Sequence, residues 1–359
     1  MARSIASKRG GLSRKAAPTV FDDGKTLFNR GSGGRWATQQ LKAAALAGKA
    51  LSCSALRTLD TLRHEEWKFF DDVLINEALI RLVGVADLIA AGLVRPVPNA
   101  LGKTVFGYEK VTFMDEAEVS LDGVSRSPND RQEFSLNQLP LPITHKDFFI
   151  NLRELAASRE KGEALDTTQV ATAGRVVAEK AEKMLFQGGK TFGGLPIYGY
   201  TTFPDRIVSV TFDSNLAWGT TGKTGPSILA DVLAALTALS AQRQYGPFMI
   251  YIPTDAGVLI ENDYTPTGST VSSQTIRQRI EAVPAIKGVR VADQLPSGSV
   301  VFVQMTADNI VWVQGESLQT VQWDEYGGFE INFKAFQIAV PLPRSDAQGR
   351  SGILHMTTT

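Results

Sequence analysis

Between Val170 and Met184 the apolar residues fall at three- and four-residue steps: Val170, Ala173, Val177, Ala181 and Met184. Side chains at that spacing share one helical face, so the segment predicts an amphipathic helix. Arg175, Glu179, Lys180, Glu182 and Lys183 fall mostly on the other side. Glu179 and Lys183 have i,i+4 spacing, which favours an ion pair worth a few tenths of a kcal/mol, roughly. Asp166 or Thr167 can accept hydrogen bonds from the first turn. Gly188 and Gly189 can end it, because glycine takes the left-handed conformation without a Cβ clash. A helix over 167–187 is then about 30 Å long at roughly 1.5 Å per residue. Periodicity alone makes it a long core helix of an α+β domain.

Elsewhere the spacing changes. Residues 38–51 predict an Ala-rich helix, and Leu59, Leu62, Trp67, Phe70, Val73 and Leu74 mark a helical face within 56–93, closed by Pro96 and Pro98. Over 103–143 the period drops to two. Val105, Val111, Phe113, Val119 and Leu121 lie on the outgoing side, and Phe134, Leu136, Leu139 and Leu141 on the return. The turn-forming run Asp122–Asp130 separates them, so the segment predicts an antiparallel hairpin. A two-stranded ribbon this polar buries too little to stand alone. It requires a second surface, either its own domain or a neighbouring molecule.

An Ala/Leu helix is predicted from Gly225 to Tyr245, followed by a buried strand, FMIYI, at 248–252. Asp255 is placed to cap a short helix, a polar Thr/Ser/Gly segment spans Asp263–Ser273, and TIRQRIEAV forms another helix. Strands follow at 289–291, 300–303 and 310–313, then two alternating strands near Leu318–Trp323 and over FEINFKAFQIAVPL.

With 359 residues the chain can bury a large core in two or three structural units. Lys plus Arg equals Asp plus Glu, 37 each, so the whole chain has no net pull toward polyanions. The charge is unevenly placed, however. Nine basic residues face two acidic ones between Met1 and Lys42, an excess of seven positive charges. Residues 1–36, rich in Ser, Gly, Arg and Lys, read as a tail that orders only against a partner. It is either a plain disordered tail or a basic arm touching nucleic acid or a neighbouring subunit. Cys53 is the only cysteine, and His64, His145 and His355 lack metal-ligand spacing, so no metal site or cofactor is expected. The most apolar run, Ala78–Val94, is interrupted by Arg81 and Asp87 and falls short of a membrane span. A protein without a membrane partner, made in a reducing cytoplasm, is the expectation.

Candidate chemistry is sparse. AWGTTGKT, Ala217–Thr224, lies between the strand-like RIVSVTF and a helix, as a phosphate-binding loop would. Its first position is Ala217 rather than glycine, and the helix starts late, so a surface loop is the better reading. Asp115, Glu116 and Glu118 cluster on the hairpin, where solvation or a basic neighbour suits them better than acid/base work. Trp218, Trp312 and Trp323 read as packing residues. No catalytic constellation emerges.

The order of motifs carries more. ITHKDFFINLRELAASREKGEALDTTQVATAGRVVAEKAEKMLFQGG with its exit FGGLPIYG, then LAALTALSAQRQYGPFMIYIPTDAGVLIEN, then GFEINFKAFQIAVPLPR, together resemble encapsulins and tailed-phage major capsid proteins of the Hong Kong 97 fold over about residues 55–345. The resemblance implies an α+β chain with a basic N-terminal arm (1–54), an N-terminal helical region (55–99) and an extended hairpin loop (100–143). A peripheral domain with a long spine helix (144–214), an axial domain (215–316) and return strands (317–359) complete it. It implies no enzyme and no cofactor, but a self-assembling shell of pentamers and hexamers. The hairpin would touch sister subunits through Asp115, Glu116, Glu118, Arg126 and Arg131. The axial loop, with Tyr264, Thr265, Thr267 and Ser269, would point at the five-fold and six-fold centres. A basic extension longer than ordinary encapsulins carry favours a phage head, with Lys8, Arg9, Arg14 and Lys15 facing packaged double-stranded DNA non-specifically, or a scaffold. Portal and decoration proteins are further candidate partners. The expected location is the virion capsid, assembled in the bacterial host cytoplasm. Alternatives are an encapsulin compartment around a cargo enzyme and, remotely, a P-loop hydrolase. Lys103 and Lys110 lie in the hairpin without a matching cross-linking constellation.

Overall fold

A computed structural model of the chain describes residues 73–75, 82–112, 119, 121, 131–153, 168–265, 274–326 and 329–358. The basic arm, the Ala-rich helix, most of 56–93 and the proposed caps Asp166 and Thr167 lie outside the described residues. Two compact units are present. The smaller contains Met1–Asn76, Asp147–Ala173 and Thr320–Lys334, and the larger Glu77–Lys146, Gly174–Gln319 and Ala335–Thr359.

The larger unit opens with helix α1 (Gly84–Ala90), strand β1 (Val94–Pro96) and a ribbon of β2 (Val105–Val111) and β3 (Phe134–Pro140). In chain order β4 (Thr144–Asn151) comes next, with Asp147–Asn151 in the smaller unit, then α2 (Thr168–Gln187), the helix that the apolar stripe predicts, with Thr168–Ala173 in the smaller unit. Its stripe residues Val170, Ala173, Val177, Ala181 and Met184 are all buried. Next come α3 (Gly225–Ala241), β5 (Phe248–Ile252), α4 (Thr254–Ile260), α5 (Ile276–Glu281), β6 (Ile286–Val291) and β7 (Ser299–Gln304). The chain ends with β8 (Ile310–Glu325), β9 (Glu330–Pro343) and β10 (Ile353–Thr357).

One sheet has the order β10-β7-β5-β6. β5 pairs in parallel with β6 and antiparallel with β7, which pairs antiparallel with β10. Successive strand side chains point to opposite faces, and here both faces are covered. Phe248, Ile250 and Ile252 meet α3, α4 and α5 through Ile228, Val232, Ile260 and Ile280. Met249 and Tyr251 face the opposite way, toward Val85 and Leu88 of α1 and Ala181, Leu185 and Phe186 of α2. This double cover explains why FMIYI is continuously apolar. A second sheet runs β1-β8-β9-β4, with β1 parallel to β8.

Helix α2 stops where the glycines stand. Gly188 has φ +83° and donates its N–H to Met184 O at 3.0 Å. The chain then returns over the helix end, and Tyr200 and Thr201 donate N–H groups to the carbonyls of Leu185 and Phe186, both at 2.9 Å. Those orphan carbonyls therefore find partners.

Three details depart from expectation. Glu179 pairs with Arg175 at 3.7 Å rather than with Lys183. Asp255 lies in the first turn of α4 instead of at its N-cap, since the helix starts at Thr254 after Pro253. The expected strands at 310–313 and 318–323 are one continuous strand. The polar Gln314-Gly315-Glu316 step hides this, but the strand runs through Gly315, where Ala100 leaves no room for a Cβ. In the smaller unit Phe148 stacks on Phe333 at 5.2 Å, and Lys334 lies 3.5 Å from Asp147 and 5.6 Å from the Trp323 ring.

Candidate functional site

The ribbon β2–β3 carries uncovered apolar side chains along one face. Val105 pairs with Pro140 and Val111 with Phe134 in an unbroken antiparallel register. Period-two alternation makes one face inward and one outward. Inward, Phe106 and Tyr108 pack beside Leu139, Leu141, Met184 and Val313, and burial pushes the Tyr108 hydroxyl pKa upward. Arg95 lies 5.3 Å over the Phe106 ring. Outward, Phe134 and Leu136 are 65% and 68% exposed. Farther along, Val119 and Leu121 are fully exposed. The ribbon therefore packs its root on its own unit and leaves an apolar flank uncovered.

A polar clip holds that root. Lys110 Nζ donates to Ser345 Oγ at 2.9 Å and lies 3.6 Å from Asp205 Oδ2, while Ser345 Oγ donates to Asp205. A cavity of about 260 Å³ sits there, lined by Lys110, Thr112, Ser135, Asp205 and Asp346. Arg131 is exposed where the return strand begins. Asp115, Glu116, Glu118 and Arg126 lie outside the described residues, as do Lys8, Arg9, Arg14 and Lys15.

In the loop after α4, Tyr264 is half-buried against the α3–α5 core and donates its N–H to Gln274 O at 2.8 Å. Its ring lies so close to Gly225 that a Cβ there would meet Cδ2 at 3.0 Å. Tyr264 thus anchors the loop at its base, and Thr265 is exposed. Thr267 and Ser269 lie outside the described residues.

The loop Ala217–Thr224 is built around a buried charge pair that sequence reading did not identify. Lys223 Nζ lies 2.8 Å from Asp231 Oδ2, with the Lys223 side chain fully buried. Trp218 Nε1 donates to Asp231 Oδ2 at 2.7 Å, and the Asp213 N–H donates to Oδ1 at 2.6 Å. Lys223 also donates to Asp213 O at 2.9 Å. Asp213 itself sits at the surface, its pKa lowered by the Ser227 hydroxyl and by Lys223. A phosphate-binding lysine must reach its ligand; this one is spent on Asp231. The loop is a structural knot, and Trp218 and Trp312 are buried packing residues as expected.

Another overlooked group is Glu182. It reads as a polar-face residue but is buried, accepting the N–H groups of Gly84 at 2.6 Å and Val85 at 3.2 Å. The signal was its place between Ala178 and Leu185, at helical steps along the buried face. Burial also lowers the pKa of His355 to about 4, with Arg206 contributing. Among the described residues no cluster of three or more His, Cys, Asp or Glu could hold a metal, and no helix is long and apolar enough to cross a membrane.

Comparison with known proteins adds to this geometry. A family model described as a family of unknown function, DUF6260, matches residues 55–356. The type 1 encapsulin shell protein EncA of Myxococcus xanthus (strain DK1622) is 25% identical over 252 residues, 69% of this chain and 79% of that protein. The virus-like particle from Pyrococcus furiosus superposes with a TM-score of 0.57 at 14% identity, covering 82% of this chain and 98% of that one. The capsid of Myoviridae phage XM1 gives 0.57 at 12% identity, covering 76% and 91%. The α+β fold is therefore the Hong Kong 97 phage-capsid fold.

Proposed function

The chain belongs to the DUF6260 family, a family of unknown function, and from its fold and its uncovered ribbon we propose that it is a major capsid protein, self-assembling into the icosahedral head of a tailed double-stranded DNA phage. The observation that carries this reading is the ribbon's outward flank. Phe134 and Leu136 present apolar surface that their own unit leaves uncovered. A second copy of the chain supplies the missing cover, and many such weak contacts close into a shell by symmetry. In this reading residues 100–143 are the intersubunit arm, 215–316 the axial domain around the symmetry axes, and 144–214 with 317–359 the peripheral domain. Asp115, Glu116, Glu118, Arg126 and Arg131 lie at the arm's contacts, and Tyr264, Thr265, Thr267 and Ser269 at the axial loop. Lys8, Arg9, Arg14 and Lys15 face packaged DNA or a scaffold.

The excess of seven positive charges before Ala43 supports the phage over a protein-filled compartment. A second reading, an encapsulin shell around cargo protein, draws support from the identity with EncA. The ratio of absorbance at 260 and 280 nm in purified particles from the native source separates them. Nucleic acid inside supports the head, and protein alone supports the compartment.

Deleting residues 115–130 tests the arm. The shortened chain is expected to keep the circular dichroism and melting temperature of the intact one, because the ribbon root through Thr112 and Glu133 is retained. It is expected to remain as small species in light scattering where the intact chain forms particles. Normal particles from the deletion variant would remove the arm from the account.

A further inference from the structure

Glu182 and α1 form a contact that shell formation does not explain. The side chain is 2% exposed, on the face of α2 that also buries Ala181 and Leu185. Its two oxygens accept from the backbone of a segment 97 and 98 residues away in sequence, at Val85 and Gly84. The approach is possible because position 84 is glycine. A Cβ there would stand 2.8 Å from Leu185 Cδ2, 3.1 Å from Phe186 Cζ and 3.2 Å from Glu182 Oε1. Val85 and Leu88 of α1 pack with Phe186, Tyr200 and Tyr251 in the same buried cluster as Ala181 and Leu185.

Among the described residues, the charged and titratable groups facing this site offer no direct cation. Asp87 of α1 accepts from the Tyr251 hydroxyl at 3.2 Å and lies 3.8 Å from Arg290 of β6. Tyr200 follows α2 and Tyr251 lies on β5, and burial raises the pKa of both hydroxyls well above their ordinary value. Among the described residues no Lys, Arg or His lies within ion-pair distance of Glu182, and Arg290 is engaged by Asp87. Among the described residues the carboxyl is bonded only by backbone amides, and it lies buried near a second carboxylate.

We propose that the contact between Glu182 and α1 is a proton-operated latch: protonated, the carboxyl holds α1 docked on α2, and ionisation loosens α1 and the β1 strand that leads into the ribbon. Burial raises the Glu182 pKa to about 7, with Asp87 adding to the rise and the amides of Gly84, Val85 and Val83 opposing it. Undocked and hydrated, the same group has its ordinary value, 4.5. The docked form therefore binds the proton more tightly. Docking is strongest below the ordinary value, weakens as pH rises from there to about 7, and levels off above it. The difference corresponds to about two orders of magnitude in the docking equilibrium. Val85 and Leu88 keep α1 mostly docked throughout, so the effect appears as more frequent opening.

Hydrogen exchange of the full chain at pH 5, 6, 7 and 8, corrected for intrinsic exchange rates, reads that opening whether or not the chain is assembled. The opening constant over 84–93 is expected to rise about 100-fold from pH 5 to pH 8, relative to the α3 amides at 228–239. Glu182→Gln, which cannot ionise, is expected to give a flat profile, and Asp87→Asn to shift the rise to lower pH. A pH-independent wild-type profile, or a Glu182→Gln profile as steep as wild type, overturns the latch. Should Glu182→Gln fail to fold, an Asp87→Asn profile with an unmoved midpoint overturns it equally. This inference and the shell reading fail separately, since no particle is required to measure it.

Discussion

Replacing Asp231 with alanine is expected to destabilise the chain by about 3–5 kcal/mol, because it strands a buried lysine. Lys223 Nζ has Asp231 at 2.8 Å as its counter-charge and keeps the Asp213 carbonyl and the face of the Phe212 ring without it, neither of them charged. The Trp218 indole N–H and the Asp213 amide lose their acceptor in the same step. Lys223 and the Trp218 indole are buried and cannot turn to water without opening the start of α3. Arg175→Ala, which breaks an exposed pair on α2, is the reference and is expected to cost less than about 1 kcal/mol. Urea unfolding of the two variants decides the matter. Equal midpoint shifts would show that the buried pair is not holding this end of the helix.

The second large effect is expected at Gly199. A Cβ there would lie 2.3 Å from Gly188 N, 2.8 Å from Leu185 O and 2.8 Å from Phe186 C. All three are backbone atoms at the end of α2, so no side chain can swing aside. Gly199→Ala must instead push the returning chain off the helix end, breaking the bonds from Tyr200 and Thr201 to Leu185 and Phe186. A loss of at least about 3 kcal/mol is expected, at the upper end of overpacking costs. Gly107→Ala, whose Cβ would meet Leu136 Cδ1 at a comfortable 3.5 Å, is expected to be nearly silent. Thermal unfolding of the two variants with a shared melting temperature would contradict the close approach.

Where one periodicity decided an element, the sequence was legible. The stripe from Val170 to Met184 and the double-faced strand FMIYI are fixed by residues whose neighbours all agree. The hairpin itself could likewise be anticipated from alternation on both sides of a turn-rich segment. What sequence hid were the contacts that join distant segments. Glu182 looks like a surface charge until Gly84, 98 residues away, presents an amide to it. Asp231 occupies a core step of α3, beside Ile228 and Val232, yet only the folded loop brings Lys223 to it. That same lysine gave the loop its likeness to a phosphate cradle. Gly315 looked like a break between strands because its reason, Ala100 Cβ at 2.2 Å from the position its own Cβ would take, is 215 positions back along the chain. An acid or glycine interrupting an apolar periodicity was the available signal in each case. Its partner was not readable.

The most direct measurement is electron microscopy of the purified intact chain at physiological salt, with sedimentation velocity on the same sample. Closed shells of uniform diameter are the predicted result. A homogeneous population near 39 kDa, with the ribbon's Phe134 and Leu136 still bare and no larger species at any concentration, would contradict assembly as the role of this fold.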